Sequence, residues 1–234
     1  MIQGLYKCFD HWHKEGSVYI YSDPHFGESD LEAGFVNRPS AEEQVKLINS
    51  KVGRKDTLLI LGDVGNVEYI KQLRGYKVLI MGNHDAGRTN YERTTYHEMF
   101  EADRDEEGVR DAMARLYPNC RYSVEEGWGF HAPFEWWDAY ADNMLFDEVY
   151  EGPVMIGEKL ILSHEPVNIP WAFNIHGHVH QQSCRNDYHH FNVCADAIGY
   201  LPVNLNQWMK QGHLAAIETL HRTTIDRASA KKHS

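Results

Sequence analysis

Five short apolar runs in this chain each end at a residue able to bind a metal ion. Val18-Tyr19-Ile20-Tyr21 leads into Ser22-Asp23-Pro24-His25, and Leu58-Leu59-Ile60-Leu61 leads into Gly62-Asp63. Val78-Leu79-Ile80-Met81 precedes Gly82-Asn83-His84-Asp85. Leu160-Ile161-Leu162 precedes Ser163-His164, and Phe173-Asn174-Ile175 precedes His176-Gly177-His178-Val179-His180. Apolar runs this short read as buried strands. In layered α/β folds, sites form just beyond the carboxyl ends of strands. If these strands share one sheet, their terminal Asp, His and Asn side chains meet on one rim. The pattern therefore predicts an α/β fold with a metal centre.

Bulk properties narrow the reading. The 234 residues are 42% hydrophobic and 24% charged, as expected of a packed globule. No apolar stretch reaches the ~20 residues of a membrane span, and residues 1–16 lack a signal-peptide core, so a cytoplasmic location and no membrane partner are expected. The formal charge of −11 argues against long nucleic acid as a partner. It leaves open a small phosphorylated substrate, because bound cations reverse the local sign. Cys8, Cys120, Cys184 and Cys194 are scattered without a CxxC and are expected as free thiols. No motif specifies an oligomeric state.

Along the chain, Ser40-Ala41-Glu42-Glu43 is a capping box opening a helix over residues 41–52. A short helix follows near 67–73, closed by Gly75. Strands alternating with helices predict a parallel sheet. The chain reads as a single domain, 1–234, with residues 86–152 an insert or cap. Residues 101–115 are expected to be helical. The aromatic stretch after them (Trp128, Phe130, His131, Phe134, Trp136, Trp137, Tyr140, Phe146, Tyr150) is expected as a satellite core under long loops, or as a wall of the substrate pocket. Later, 154–156 and 159–163 form two adjacent strands, 191–194 a short strand, and Asn204 caps a last helix. His176 is expected as a hydrogen-bonded core histidine, and the 227–234 tail as disordered.

Two metal ions about 3.5–4 Å apart need a shared anionic ligand, and a carboxylate suits that place. Asp63 is the expected bridge. Asp23 and His25 are separated by one residue, so in extended backbone they point the same way and could grip one ion; His178 and His180 have the same spacing. Asn83 offers a neutral oxygen and His164 another imidazole. Two divalent ions bring about +4, and Asp23 and Asp63 remove 2, leaving roughly +2 for hydroxide and a phosphoryl oxygen. The mixed N/O set suits Mn, Fe, Zn, Co or Ni better than Ca, with Mn2+ the first expectation.

The series Asp23-Pro24-His25, Gly62-Asp63, Gly82-Asn83-His84-Asp85, His164 and Gly177-His178-Val179-His180 resembles the calcineurin-like metallophosphoesterases. Residues 25–27, Asn37-Arg38-Pro39 and 192–202 make it most similar to the small bacterial and phage type. The resemblance implies a four-layer α/β/β/α sandwich carrying two metal ions, with the aromatic-rich segment as an insert. Asp23, His25 and His180 would hold one ion, and Asn83, His164 and His178 the other, with Asp63 between. His84 would be the catalytic histidine, oriented by Asp85. Many members carry an acidic residue shortly after the bridge; here Asp63-Val64-Gly65-Asn66 departs from that pattern.

The expected activity is hydrolysis of a small phosphomonoester or phosphodiester, a nucleotide among the candidates, by a hydroxide bridging the two metal ions. Arg38, with Asn37, is a candidate contact to the substrate phosphate. The alternatives are a nuclease for single strands and a metal-binding scaffold without catalysis.

Overall fold

In a computed structural model of the chain, residues 7–13, 15–28, 38–85, 94–118, 120–128, 135–143, 145–181 and 187–218 are described. Asn37, Cys184, Phe130, His131, Phe134 and the 227–234 tail lie outside the described residues. The chain divides into two compact units, Met1–Gly87 with Phe146–Ser234, and Arg88–Leu145. The strands in chain order are β1 (Val18–Tyr21), β2 (Thr57–Ile60), β3 (Tyr76–Ile80), β4 (Thr94–Glu101), β5 (Arg121–Trp128) and β6 (Glu135–Asn143). They continue as β7 (Glu148–Tyr150), β8 (Val154–Ile156), β9 (Leu160–Ser163), β10 (Phe173–His176), β11 (His190–Asn192) and β12 (Val203–Asn204). The α-helices are α1 (Ala41–Lys51), α2 (Glu106–Leu116) and α3 (Leu205–Lys210). The chain is thus mixed α/β, and no helix among the described residues is long and apolar enough to cross a membrane.

Among the described residues, the first unit holds two sheets rather than one. The larger has the order β12-β1-β2-β3-β7 and the smaller β11-β10-β9-β8. Strands β1, β2, β3 and β7 run parallel, with Ile20 opposite Leu59 and Leu59 opposite Val78. Strands β9, β10 and β11 are also parallel, and β8 joins β9 as an antiparallel hairpin. The five apolar runs are therefore split three and two. Apolarity identifies a buried strand but carries no information about which sheet it joins.

One core joins the sheets. Val18, Ile20, Leu59, Val78 and Ile80 of the larger sheet share a buried cluster with Val154, Ile156, Leu160, Leu162, Phe173 and Ile175 of the smaller. Each such side chain contributes about 1.5–3 kcal/mol when fully buried. Tyr21, Leu58, Ile60 and Leu79, which alternate with these, are also buried. Burial on both faces explains why the strands read as unbroken apolar runs.

Local signals set the connections. Ser40 accepts the Glu43 N–H, and Glu43 reaches back to the Ser40 N–H, completing the capping box. Gln44 of α1 meets the Tyr21 hydroxyl, placing α1 over the outer face of β1. The link between β2 and β3 is a 3-10 helix, Val67–Gln72, capped by the Asn66 side chain. Asn204 caps α3 by accepting the Gln207 N–H. The Glu148 carboxylate of β7 accepts hydrogen bonds from Trp12 and Tyr76 and also contacts His11, anchoring the 3-10 helix Lys7–His13.

The second unit is a three-stranded antiparallel sheet of order β4-β6-β5 with α2 on one face. Val109 and Met113 of α2 pack on Ala139 and Ala141 of β6. This corrects two expectations. Residues 101–105 are not helical: Glu101 ends β4, and Asp105 caps α2 by accepting the Gly108 N–H. The segment expected as loops supplies a sheet, in which Tyr122 and Val124 alternate with Arg121, Ser123 and Glu125, a half-buried strand pattern. β7, also within 86–152, belongs to the larger sheet of the first unit.

Candidate metal centre

The strand ends carry unusual backbone. Asp23, His25, Asp63, His178 and His180 all have positive φ, between 42° and 69°. They are five of the six non-glycine residues in that region among the described residues. Such a conformation costs roughly 1–2 kcal/mol per residue, and surrounding structure must enforce it. Here backbone bonds enforce it: Asp23 N–H donates to Gly62 O at 3.2 Å, and His25 N–H to Asp63 O at 3.0 Å. The expectation of extended backbone at the Asp-x-His and His-x-His pairs is thereby corrected. His178 and His180 separate into different groups.

The first group is Asp23, His25 and His180; the second is Asp63, His164 and His178. Within each group the possible ligand atoms lie within 4.8 Å of one another. Asn83 joins the second group, its Oδ1 2.8 Å from His164 Nε2 and 3.1 Å from His178 Nδ1. Asp63 connects the two: its Oδ2 is 3.3 Å from His164 Nε2 and 3.6 Å from His25 Nε2. A first-row ion with bonds of about 2.1 Å holds adjacent ligand atoms about 3–3.5 Å apart, so these spacings suit it. Among the described residues, Asp23 Oδ1 and His25 Nε2 are buried with no hydrogen-bond partner, as atoms reserved for a cation would be. The donors are imidazole, carboxylate and amide oxygen, a set that fits Mn, Fe, Zn, Co or Ni.

Neighbouring groups fix the ring orientations. His25 Nδ1 meets Glu28 Oε2 at 2.7 Å, and His164 Nδ1 meets Leu61 O at 2.8 Å. His180 Nδ1 faces Asp196 Oδ2 at 3.3 Å. Asp23 Oδ2 accepts the His178 N–H at 2.9 Å and lies 3.1 Å from the Cys194 thiol. Two glycines make the close approach possible. A Cβ on Gly177 would stand 1.9 Å from Ser22 Oγ and 2.3 Å from Asp23 Oδ2, and one on Gly82 2.3 Å from Asp63 Oδ1.

Electrostatics follow the geometry. Burial works against charge on His164, but the hydrogen bond to Asp63 and the charges of Asp23 and Asp63 push its pKa up to about 9. Burial would raise the Asp63 carboxyl; the hydrogen bond and charge of His164, with the His84 N–H, hold it below the ordinary value. Burial lowers His25, only partly offset by Glu28 and the nearby aspartates.

His84 belongs to neither group. It is exposed, and its ring lies edge-on to that of His25 at 5.5 Å. Its N–H donates to Asp63 Oδ1 at 3.0 Å. Asp85, expected to orient the His84 ring, instead gives its buried carboxylate to the backbone: it accepts from Asp63 N–H, Val64 N–H and Gly82 N–H. Arg38, expected at the substrate phosphate, donates through Nη2 to the carbonyls of Asp23 and Pro24 and lies over the Tyr200 ring. It braces the loop that carries Asp23 and His25. His176 is buried, with Nδ1 on Gly177 O, and Cys120 and Cys194 are free thiols.

Asn83 and His164 border a cleft of about 300 Å³, whose walls include Met81, Glu151, Pro153, Glu165 and Val167. Glu28 and Asp196 were not singled out in the sequence. The Glu28 spacing, three residues after His25, was a readable signal; Asp196 lies 16 residues beyond His180 and gave none.

No family model and no curated protein matches the chain. Among solved structures it is similar to the crystal structure of AQ665, a protein of unknown function from Aquifex aeolicus. The identity is 21%, the TM-score 0.50, and the match covers 83% of this chain and 98% of that one. The likeness concerns the fold, which it supports as mixed α/β.

Proposed function

We propose that this protein is a metal-dependent phosphoesterase of the calcineurin-like kind, hydrolysing a small phosphomonoester or phosphodiester. The observation that carries this reading is Asp63 Oδ2, set between His164 Nε2 and His25 Nε2 and so joining two ligand groups. Asp23, His25 and His180 would hold one ion and Asn83, His164 and His178 the other, with Asp63 serving both. Two divalent ions held there would polarise a phosphoryl oxygen and acidify a water, the chemistry that ester hydrolysis needs. Mn2+ is the first ion to test at both positions, and the imidazole and carboxylate donors also suit Fe, Zn, Co or Ni. The fold proposed is the four-layer α/β/β/α sandwich; the core shared by two sheets and the placement of α1 outside one of them support it.

The chain's own residues supply the rest. His84 stands exposed beside His25 and gives a proton to the departing oxygen or a hydrogen bond to the phosphoryl group. Asp85 and Arg38 hold the backbones that present Asp63, Asp23 and His25. The cleft beside Asn83 and His164 receives the ester, and its Glu151 and Glu165, with the net charge of −11, favour a small substrate of low charge over a polyanion.

The test is hydrolysis of bis-p-nitrophenyl phosphate and p-nitrophenyl phosphate by metal-stripped protein titrated with Mn2+, beside Asp63→Asn. Turnover that rises with Mn2+ and vanishes in the variant is expected. Full activity in metal-replete Asp63→Asn would sink the reading.

A further inference from the structure

We propose that Asp196 is a positioning residue for His180, acting on one of the two ion positions and not the other. The inference rests on the two-ion reading of the site. Asp196 lies just past β11, where Cys194 bridges to Ser22 and Ala195 N–H donates to Ser22 O at 2.8 Å. That pairing holds the segment alongside the end of β1. The Asp196 side chain is 0% exposed, and among the described residues neither of its oxygens completes a hydrogen bond. A carboxylate is costly to bury without a donor, so a carboxylate kept there needs a partner. His180 Nδ1, 3.3 Å from Oδ2, is placed to be that partner.

The consequence is a fixed tautomer. An Nδ1 proton held against Asp196 would present the Nε2 lone pair of His180 to the ion. His180 stacks on His25 at 5.3 Å and 25°, and His25 Nδ1 is itself backed by Glu28. Both imidazoles of this position are therefore backed by carboxylates, whereas His164 of the other position is backed by the Leu61 carbonyl. Such carboxylates orient a ligating histidine and raise its basicity, and losing one typically costs about 10–100-fold in metal affinity.

The experiment is titration of metal-stripped protein with Co2+, followed by calorimetry and by the visible absorption of the bound ion. Wild type is expected to take two ions. Asp196→Asn is expected to weaken one of them by about 10–100-fold, with a changed spectrum, and to leave the second at its wild-type affinity. Asp196→Glu is expected to restore much of the loss. Asp196→Ser, which leaves room for a water, is run alongside so that one misfolded variant does not decide the result. Wild-type affinity in Asp196→Asn and Asp196→Ser would overturn the proposal, and so would equal loss at both positions, which would mark a general structural effect. Two Co2+ bound by wild type without hydrolysis of any ester would sink the phosphoesterase reading and leave this one standing. Fewer than two ions bound by wild type would sink both.

Discussion

Asp85 holds Asp63 by its backbone: the buried Asp85 carboxylate accepts the Asp63 N–H at 2.8 Å. The same carboxylate takes the N–H groups of Val64 and Gly82. Asp85→Ala would leave these buried donors without an acceptor, at about 1–3 kcal/mol each before relaxation. A loss of about 3–5 kcal/mol in urea denaturation is expected, together with loss of metal binding. A change below about 1 kcal/mol would show that the loop is held by other contacts.

Gly177→Ala tests the packing between the two sheets' strand ends. The added carbon would stand 2.3 Å from Asp23 Oδ2, so the carboxylate must move. Overpacking of this kind costs about 1–3 kcal/mol. Loss of one ion, with retention of the ion near His164, is the outcome expected from metal analysis of the purified variant.

His84→Ala separates chemistry from metal binding. The ring lies outside both ligand groups, so the variant should keep two ions. Its kcat should fall by about 10²–10⁴, the usual value of a positioned acid or hydrogen-bond donor. Loss of an ion in this variant would move His84 into the ligand set.

Glu148 makes acid stability depend on the N-terminal helix. Burial raises its pKa, but hydrogen bonds from Tyr150, His11, Tyr76 and Trp12 outweigh burial and hold it below the ordinary carboxylate value. A carboxyl depressed on folding contributes stability above its unfolded pKa, near 4.5, and loses it as pH falls through the folded value. Thermal unfolding of Glu148→Gln should therefore show a smaller drop in Tm than wild type between about pH 5 and pH 3. Parallel pH profiles would remove Glu148 from this role.

The strands of the first unit were legible because burial on both faces leaves runs such as Leu58-Leu59-Ile60 with no polar interruption. α1 was legible because its capping box is local in sequence. The division into two sheets was not, since pairing partners are chosen by tertiary packing. The β4-β6-β5 sheet was missed because charged residues dilute its alternation, and the charge-rich segment 101–105 imitates a helix. At the site, residue types at strand ends identified the residues that now form the two groups. Adjacency in sequence misled for Asp85, whose turn carries its carboxylate to the Asp63 backbone. Asp196 was invisible because its link to His180 is made only by the loop after β11.

The most direct measurement is anomalous diffraction from crystals of the wild-type protein soaked with Mn2+. The account predicts two peaks about 3.5–4 Å apart, one bounded by Asp23, His25 and His180, the other by Asn83, His164 and His178, with Asp63 touching both. A single peak, or two peaks that do not share Asp63, would contradict it.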